Sequence, residues 1–164
     1  MIDDELRAKA TKILDACRRR KLKLALAESC TGGLIGAALT EIPGSSDVVD
    51  RGYVTYSNEA KAAMLGVPTE TLRQFGAVSA ETVRAMAEGA LAKSGADVTV
   101  AVTGIAGPGG GSGDKPVGLV HFAAAHAGRT LHKEIRFGDL GRGEIRRRSV
   151  LAAIELLNEL IAAD

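Results

Sequence analysis

Tryptophan is absent from this chain, and only three phenylalanines and two tyrosines occur among its 164 residues. Any core must therefore be aliphatic and rich in alanine. Cysteine is almost as scarce. Cys17 and Cys30 are too few for a disulfide framework and have no C-x-x-C metal spacing. An excess of one charge is missing too: 21 Lys and Arg against 20 Asp and Glu leave a net charge of +1. That balance lacks the electrostatic footprint of a nucleic-acid binder. The densest basic run, Arg146-Arg147-Arg148, reads as the solvated face of a helix. No apolar run approaches the roughly 18 residues that a membrane helix needs. The opening segment is acidic and then basic without an apolar stretch, so neither leader nor anchor is expected, and the expected location is the cytoplasm.

What is present is an ordinary globular composition, 46% hydrophobic and 25% charged, at a length that suits a single domain over 1–164. Leu6, Ala10, Ile13, Leu14 and Cys17 recur at helical spacing within residues 3–19. A short strand over 22–27 and a small-residue helix over 34–39 follow, before "EIPGSS" breaks the pattern. "GYVTYS", 52–57, has strand composition, and "NEAKAAML" after it is helix-forming. The clearest helix is "VSAETVRAMAEGALAKSG", with Ser79 at its start and Gly95 beyond its end. "DVTVAVTG" reads as a strand buried on both faces. Two further strands join through Ala127-Gly128 as a hairpin, and an amphipathic helix over about 143–162 closes the chain. Helices alternating with strands, then a hairpin, predict a three-layer α/β/α sandwich with a mixed sheet.

In such a sheet, ligands collect beyond the carboxyl ends of the parallel strands. Three polar or glycine-rich turns fall there: Ser29 to Gly33, Ser57 to Lys61, and Thr103 to Gly113. The first, "ESCTGG", opens a helix whose leading N–H groups lack intrahelical partners and suit a phosphate or a developing oxyanion. It is not a P-loop, because no Gly-Lys-Ser/Thr follows, nor a G-x-S-x-G elbow, because Ala27 and Thr31 stand at the glycine positions.

A serine nucleophile needs a base. His121 lies within an expected strand, His126 beside the hairpin turn and His132 on the second hairpin strand, so none fits, and the three do not suggest a metal site. Lys61 is the alternative. In the first turn of its helix the dipole disfavours a cation, and burial would lower its pKa further, towards the neutral amine of a general base. Ser57, four residues before Lys61, is a competing partner for it at this point. The glycines after Thr103 suit either a ligand cradle or a mobile flap.

Taken together, "AESCTGG", "GYVTYSNEAK", "GAVSAETVRAMAEGA" and "AVTGIAGPGGGSGDKPVGLVHFA" closely resemble the CinA C-terminal domain family, over about Leu6 to Leu160. The match is to the stand-alone form, which includes the bacterial nicotinamide-nucleotide amidohydrolases. The resemblance implies an anticodon-binding-domain-like α/β/α sandwich. It also implies hydrolysis of nicotinamide mononucleotide to nicotinic acid mononucleotide and ammonia, without metal or cofactor. The family's catalytic serine falls on Ser29, its lysine on Lys61 and its tyrosine on Tyr56, which is expected to relay protons or orient Lys61.

Substrate contacts are implied at Cys30, Thr31, Gly32 and Gly33 in the first motif, Asn58 in the second, and Thr103 and Gly104 in the third. A functional arginine falls on Arg142, with Arg146 close by as its rival. Backbone N–H groups at Cys30 to Gly33 are expected to hold the oxyanion, and Cys30 itself to be a small packed residue. The expected partner is the small-molecule substrate, with no nucleic acid and no membrane; self-association is compatible with this reading. A nucleotide sensor without turnover would keep the glycine turns but would not need Lys61 neutral. An interaction protein linked to competence or DNA damage would need a docking surface instead.

Overall fold

Asp3 accepts the Leu6 N–H at 3.0 Å and so starts helix α1, Asp4–Arg20, in a computed structural model that describes residues 2–163. Strand β1, Leu24–Glu28, is buried at every position. Helix α2, Leu34–Thr40, and one turn of 3-10 helix at Ser45–Asp47 lead to β2, Val49–Val54. Three helices follow: α3, Asn58–Leu65; α4, Thr69–Phe75; and α5, Ala80–Lys93, which Ser79 caps by accepting the Thr82 N–H at 3.1 Å. Then come β3, Val98–Gly104, β4, Leu119–His126, β5, Arg129–Arg136, and the closing helix α6, Arg142–Ala162. No helix among the described residues is long and apolar enough to cross a membrane.

The five strands form one sheet in the order β2-β1-β3-β4-β5. β1 runs parallel to both β2 and β3, while β3/β4 and β4/β5 are antiparallel, so the sheet is mixed as expected. Its two faces differ in side-chain size. Leu24, Leu26, Val98, Val100, Val102, Val120 and Phe122 face α1, α2 and α6. On the other face Ala27, Ala101, Ala123 and Ala125 meet Val83, Met86, Ala87 and Ala90 of α5, with Leu65 of α3 and Leu72 of α4 behind. Alanines there let α5 come close enough for Thr99 Oγ1 to donate to the Ala87 carbonyl at 2.8 Å. α3 reaches α5 equally closely: a Cβ on Gly89 would collide with the Leu65 carbonyl oxygen. These contacts complete the three-layer α/β/α sandwich.

Two strands are placed differently from the sequence expectation, and one helix lies outside it. β1 runs over 24–28 rather than 22–27, so Glu28 belongs to the buried strand. β2 runs over 49–54 rather than 52–57: it is an edge strand whose Asp50 and Arg51 face outward, which gives it the composition of a loop. α4, a seven-residue helix after Pro68, is too short and polar to show a period. The Ala127-Gly128 hairpin forms as read, both residues having positive φ (48° and 79°). Since β1, β2 and β3 are parallel, the three turns do meet on one rim.

Candidate active site

Lys61 is among the largest fully buried side chains of the described residues, with 1% of its surface exposed. It sits one turn into α3, its N–H bonded to the Ser57 carbonyl at 3.1 Å. Its Nζ lies 3.1 Å from Ser29 Oγ and donates to the Thr55 carbonyl at 2.8 Å. No carboxylate forms an ion pair with it among the described residues. Burial pushes its pKa down from the ordinary lysine value, with the nearby Cys30 thiol a smaller opposing influence. A neutral amine has one lone pair for the Ser29 hydroxyl proton and an N–H for the Thr55 carbonyl. Nucleophile, base and an orienting acceptor therefore stand in line.

Ser57 is not a rival for Lys61. It is exposed, and its Oγ accepts the Ala60 N–H at 3.0 Å as the N-cap of α3.

The turn after β1 is built differently from the expectation. Glu28, 2% exposed, takes the Gly33 and Ile35 N–H groups on Oε2, each at 3.1 Å, and the Gly36 N–H on Oε1 at 2.8 Å. The Gly32 N–H goes to the Ser29 carbonyl at 3.0 Å. So the leading amides of α2 are already satisfied; among the described residues those of Cys30 and Thr31 are left in this turn, and of the two only Cys30 lines the cleft that Ser29 and Lys61 share. Ser29 itself, 8% exposed, is fixed by its N–H to the Val102 carbonyl at 3.0 Å.

Ser29, Cys30, Lys61, Thr103, Gly104, Tyr56 and Arg142 line one cleft of about 240 Å³, with Ala77, Val78 and the glycines after Thr103 as its walls. Thr31, Gly32, Gly33 and Asn58 do not line it. Thr31 is 0% exposed, and Asn58, at the start of α3, lines a separate depression with Thr69 and Arg73. Cys30 is 5% exposed and packs into the core, and burial pushes its thiol up to about 12. Thr103 Oγ1 donates to the Ala77 carbonyl at 2.8 Å, which holds the cleft wall.

Arg142 reaches across the rim: Nη1 donates to the Gly107 carbonyl and Nη2 to the Tyr56 hydroxyl, both at 2.9 Å. Arg146, one turn on, donates instead to the Thr31 carbonyl at 2.9 Å and lies outside the cleft. Tyr56 is 59% exposed and bonded to Arg142, so the Thr55 carbonyl, not Tyr56, orients Lys61. The glycine segment is pinned rather than loose. Gly118 N–H bonds the Ile105 carbonyl at 2.8 Å, Ser112 N–H the Lys115 carbonyl at 2.8 Å, and Lys115 Nζ the Phe75 carbonyl at 2.6 Å.

The histidines lie elsewhere. His121 Nδ1 and His132 Nε2 are 3.0 Å apart in a stacked pair, and His126 Nδ1 meets the Asp97 carbonyl at 2.6 Å. No cluster of three or more His, Cys, Asp or Glu side chains could hold a metal ion among the described residues.

Sequence reasoning missed Glu28 and Thr55. Glu28 had a signal: a carboxyl closing a wholly apolar strand must find buried donors, and the amides of a glycine turn are the nearest supply. Thr55 acts through its main chain, which carries no residue-type signature.

The comparisons with known proteins bear on family and fold. Residues 6–161 match the family model for the CinA C-terminal domain. The chain is 49% identical to a putative competence-damage inducible protein of Caldicellulosiruptor bescii, over 91% of this chain and 36% of that protein. It is 53% identical to a CinA-like protein of a Synechococcus species, over 94% and 37% respectively. It thus spans little more than a third of the length of these relatives. Among solved structures, the competence/damage inducible protein CihA from Agrobacterium tumefaciens superposes with a TM-score of 0.96 at 56% identity, covering 98% of both chains. A CinA superfamily protein from Klebsiella pneumoniae gives 0.93 at 36% identity, covering 97% of this chain and 99% of that one. Fold, motifs and similarity over nearly the whole chain place it in the CinA C-terminal domain family.

Proposed function

We propose that this domain is a serine/lysine amidohydrolase that converts nicotinamide mononucleotide to nicotinic acid mononucleotide and ammonia. The observation that carries the reading is the 3.1 Å contact between Ser29 Oγ and the buried, carboxylate-free amine of Lys61 on the wall of a cleft.

In this mechanism Lys61 takes the Ser29 proton as Oγ attacks the carboxamide carbon. The N–H group of Cys30, on the cleft wall, receives the tetrahedral oxyanion, and losing one such donor costs on the order of 2.7–4 kcal/mol in other enzymes. The Lys61 ammonium then passes its proton to the departing nitrogen, ammonia leaves, and an acyl ester remains on Ser29. Water attacks that ester, again losing its proton to Lys61, and Ser29 is restored with release of the acid. The Arg142 guanidinium has N–H groups beyond those given to Gly107 and Tyr56, and with the backbone of the glycine segment it suits the phosphate by charge-assisted hydrogen bonds.

The test is ammonia release from nicotinamide mononucleotide by the purified protein and by Ser29→Ala. The reading requires release by the former and none by the latter. Saturable binding of the nucleotide with no ammonia from the wild type would instead make the domain a sensor.

A further inference from the structure

Glu28 is the one charged side chain of the first turn to which the reaction above gives no role. Its carboxyl group holds the amides of Gly33, Ile35 and Gly36 at 2.8–3.1 Å. Its backbone carbonyl accepts the Thr55 N–H at 2.8 Å, and the Thr55 carbonyl in turn accepts Lys61 Nζ at 2.8 Å. One residue therefore reaches both halves of the dyad. The side chain sets the turn that carries Ser29, and the main chain sets the strand end that anchors Lys61.

The turn after β2 is built otherwise: there Ser57 is itself the N-cap and its hydroxyl accepts the Ala60 N–H. After β1 the N-cap position is Gly33, which has no side chain, and Ser29 stands four residues before it; the oxygens of Glu28 take the α2 amides instead. Were those oxygens removed, the α2 amides would be orphaned in a site where Ser29 and Thr31 are both buried, and the hydroxyls of the same turn would be drawn to them.

We propose that Glu28 is a positioning residue that, by holding the turn between β1 and α2, keeps the Ser29 hydroxyl on Lys61, an inference that rests on the amidohydrolase reading of the site. An amide cannot replace the carboxyl group. Oε1 and Oε2 both accept, so whichever position the NH₂ of a glutamine takes, it faces an N–H donor.

The experiment compares wild type, Glu28→Gln, Glu28→Ala and Asp3→Ala. Asp3 caps α1 and pairs with Arg147, outside the cleft, so its loss is a matched destabilisation. Melting temperature, kcat and KM on nicotinamide mononucleotide, and the rate at which a fluorophosphonate labels Ser29 are measured well below every melting point. Misplacing a reacting atom by about 1 Å can cost on the order of a hundredfold, so Glu28→Gln should lose roughly tenfold to a hundredfold in kcat at nearly constant KM. Labelling should slow in parallel, while the acid limb of the pH profile stays where it is. Asp3→Ala should melt lower and keep both rates. Should Glu28→Ala fail to fold, Glu28→Gln, which keeps the volume, carries the test. A Glu28→Gln protein that melts lower but retains wild-type kcat and labelling would reduce Glu28 to a cap and overturn the proposal. If the wild type releases no ammonia, the substrate reading falls, and the labelling rates still decide the role of Glu28.

Discussion

Two strand-to-helix turns on the same rim, after β1 and after β2, each place a serine just past a parallel strand, and they use it in opposite ways. After β2, Ser57 is exposed and its hydroxyl caps α3 through the Ala60 N–H. After β1, Ser29 is 8% exposed, its hydroxyl caps nothing, and its partner is Lys61. The difference lies in position and in what holds the turn: Ser57 is itself the N-cap of α3, whereas Ser29 stands four residues before Gly33, the N-cap of α2, and Glu28 takes the amides there. A serine is available for chemistry when it stands off the cap position and a neighbour holds the turn.

The comparison is broken most severely at its reactive members. Ser29→Ala and Lys61→Ala should each lower kcat by a factor on the order of 10³ or more, and in combination hardly more than either alone, as expected of groups acting as a unit. Steady-state ammonia release measures this. Arg142 and Arg146 repeat the contrast on one helix. Arg142→Ala removes charge-assisted bonds worth about 1.5–3 kcal/mol each, so KM for nicotinamide mononucleotide should rise roughly tenfold to a hundredfold. Nicotinamide riboside, which lacks the phosphate, should be a poor substrate for the wild type and little affected by that substitution.

Ser57→Ala should do the reverse of Ser29→Ala. It loses an N-cap worth about 1 kcal/mol, visible as a lower denaturation midpoint, with kcat/KM near the wild-type value. Cys30→Ala should retain most activity, because a thiol whose pKa burial pushes up to about 12 is no nucleophile at neutral pH.

The smallest effect belongs to His121 and His132. Burial lowers both pKa values, for His121 against Glu134 and Glu81 but with His132 and Lys115, and for His132 with Arg84. The cation is therefore disfavoured in the fold, the unfolded chain binds more protons, and stability falls as pH drops below about 6.5 towards the lowered values. His132→Gln should flatten that slope in urea unfolding and leave turnover at neutral pH unchanged.

Much of this was legible in the residues. The helices α1, α5 and α6 announced themselves by apolar period, the hairpin by Ala127-Gly128, and the parallel order of β1, β2 and β3 by the alternation of elements. Ser29, Lys61 and Thr103 were picked out from the turns, and Arg142, with Arg146 as its rival, through the family resemblance; the structure brings Ser29, Lys61, Thr103 and Arg142 to one cleft. The commitments that decide availability were not legible. Whether the α2 amides face a ligand or Glu28 depends on a side chain reaching eight residues along the chain, to Gly36. Whether Tyr56 or a Thr55 carbonyl orients Lys61 is a matter of main-chain direction at the end of β2. Neither leaves a period or a motif.

The central claim is that Lys61 is a neutral base for Ser29, and the pH dependence of kcat/KM tests it most directly. Desolvation disfavours the Lys61 cation, so activity should rise with pH through an acid limb well below the ordinary lysine value of about 10.4. His121→Gln, His126→Gln and His132→Gln should each leave that limb in place. Lys61→Arg keeps the charge but cannot give up its proton near neutral pH, and should be nearly as inactive as Lys61→Ala. An active Lys61→Arg enzyme, or a limb that vanishes with one histidine, would contradict the account.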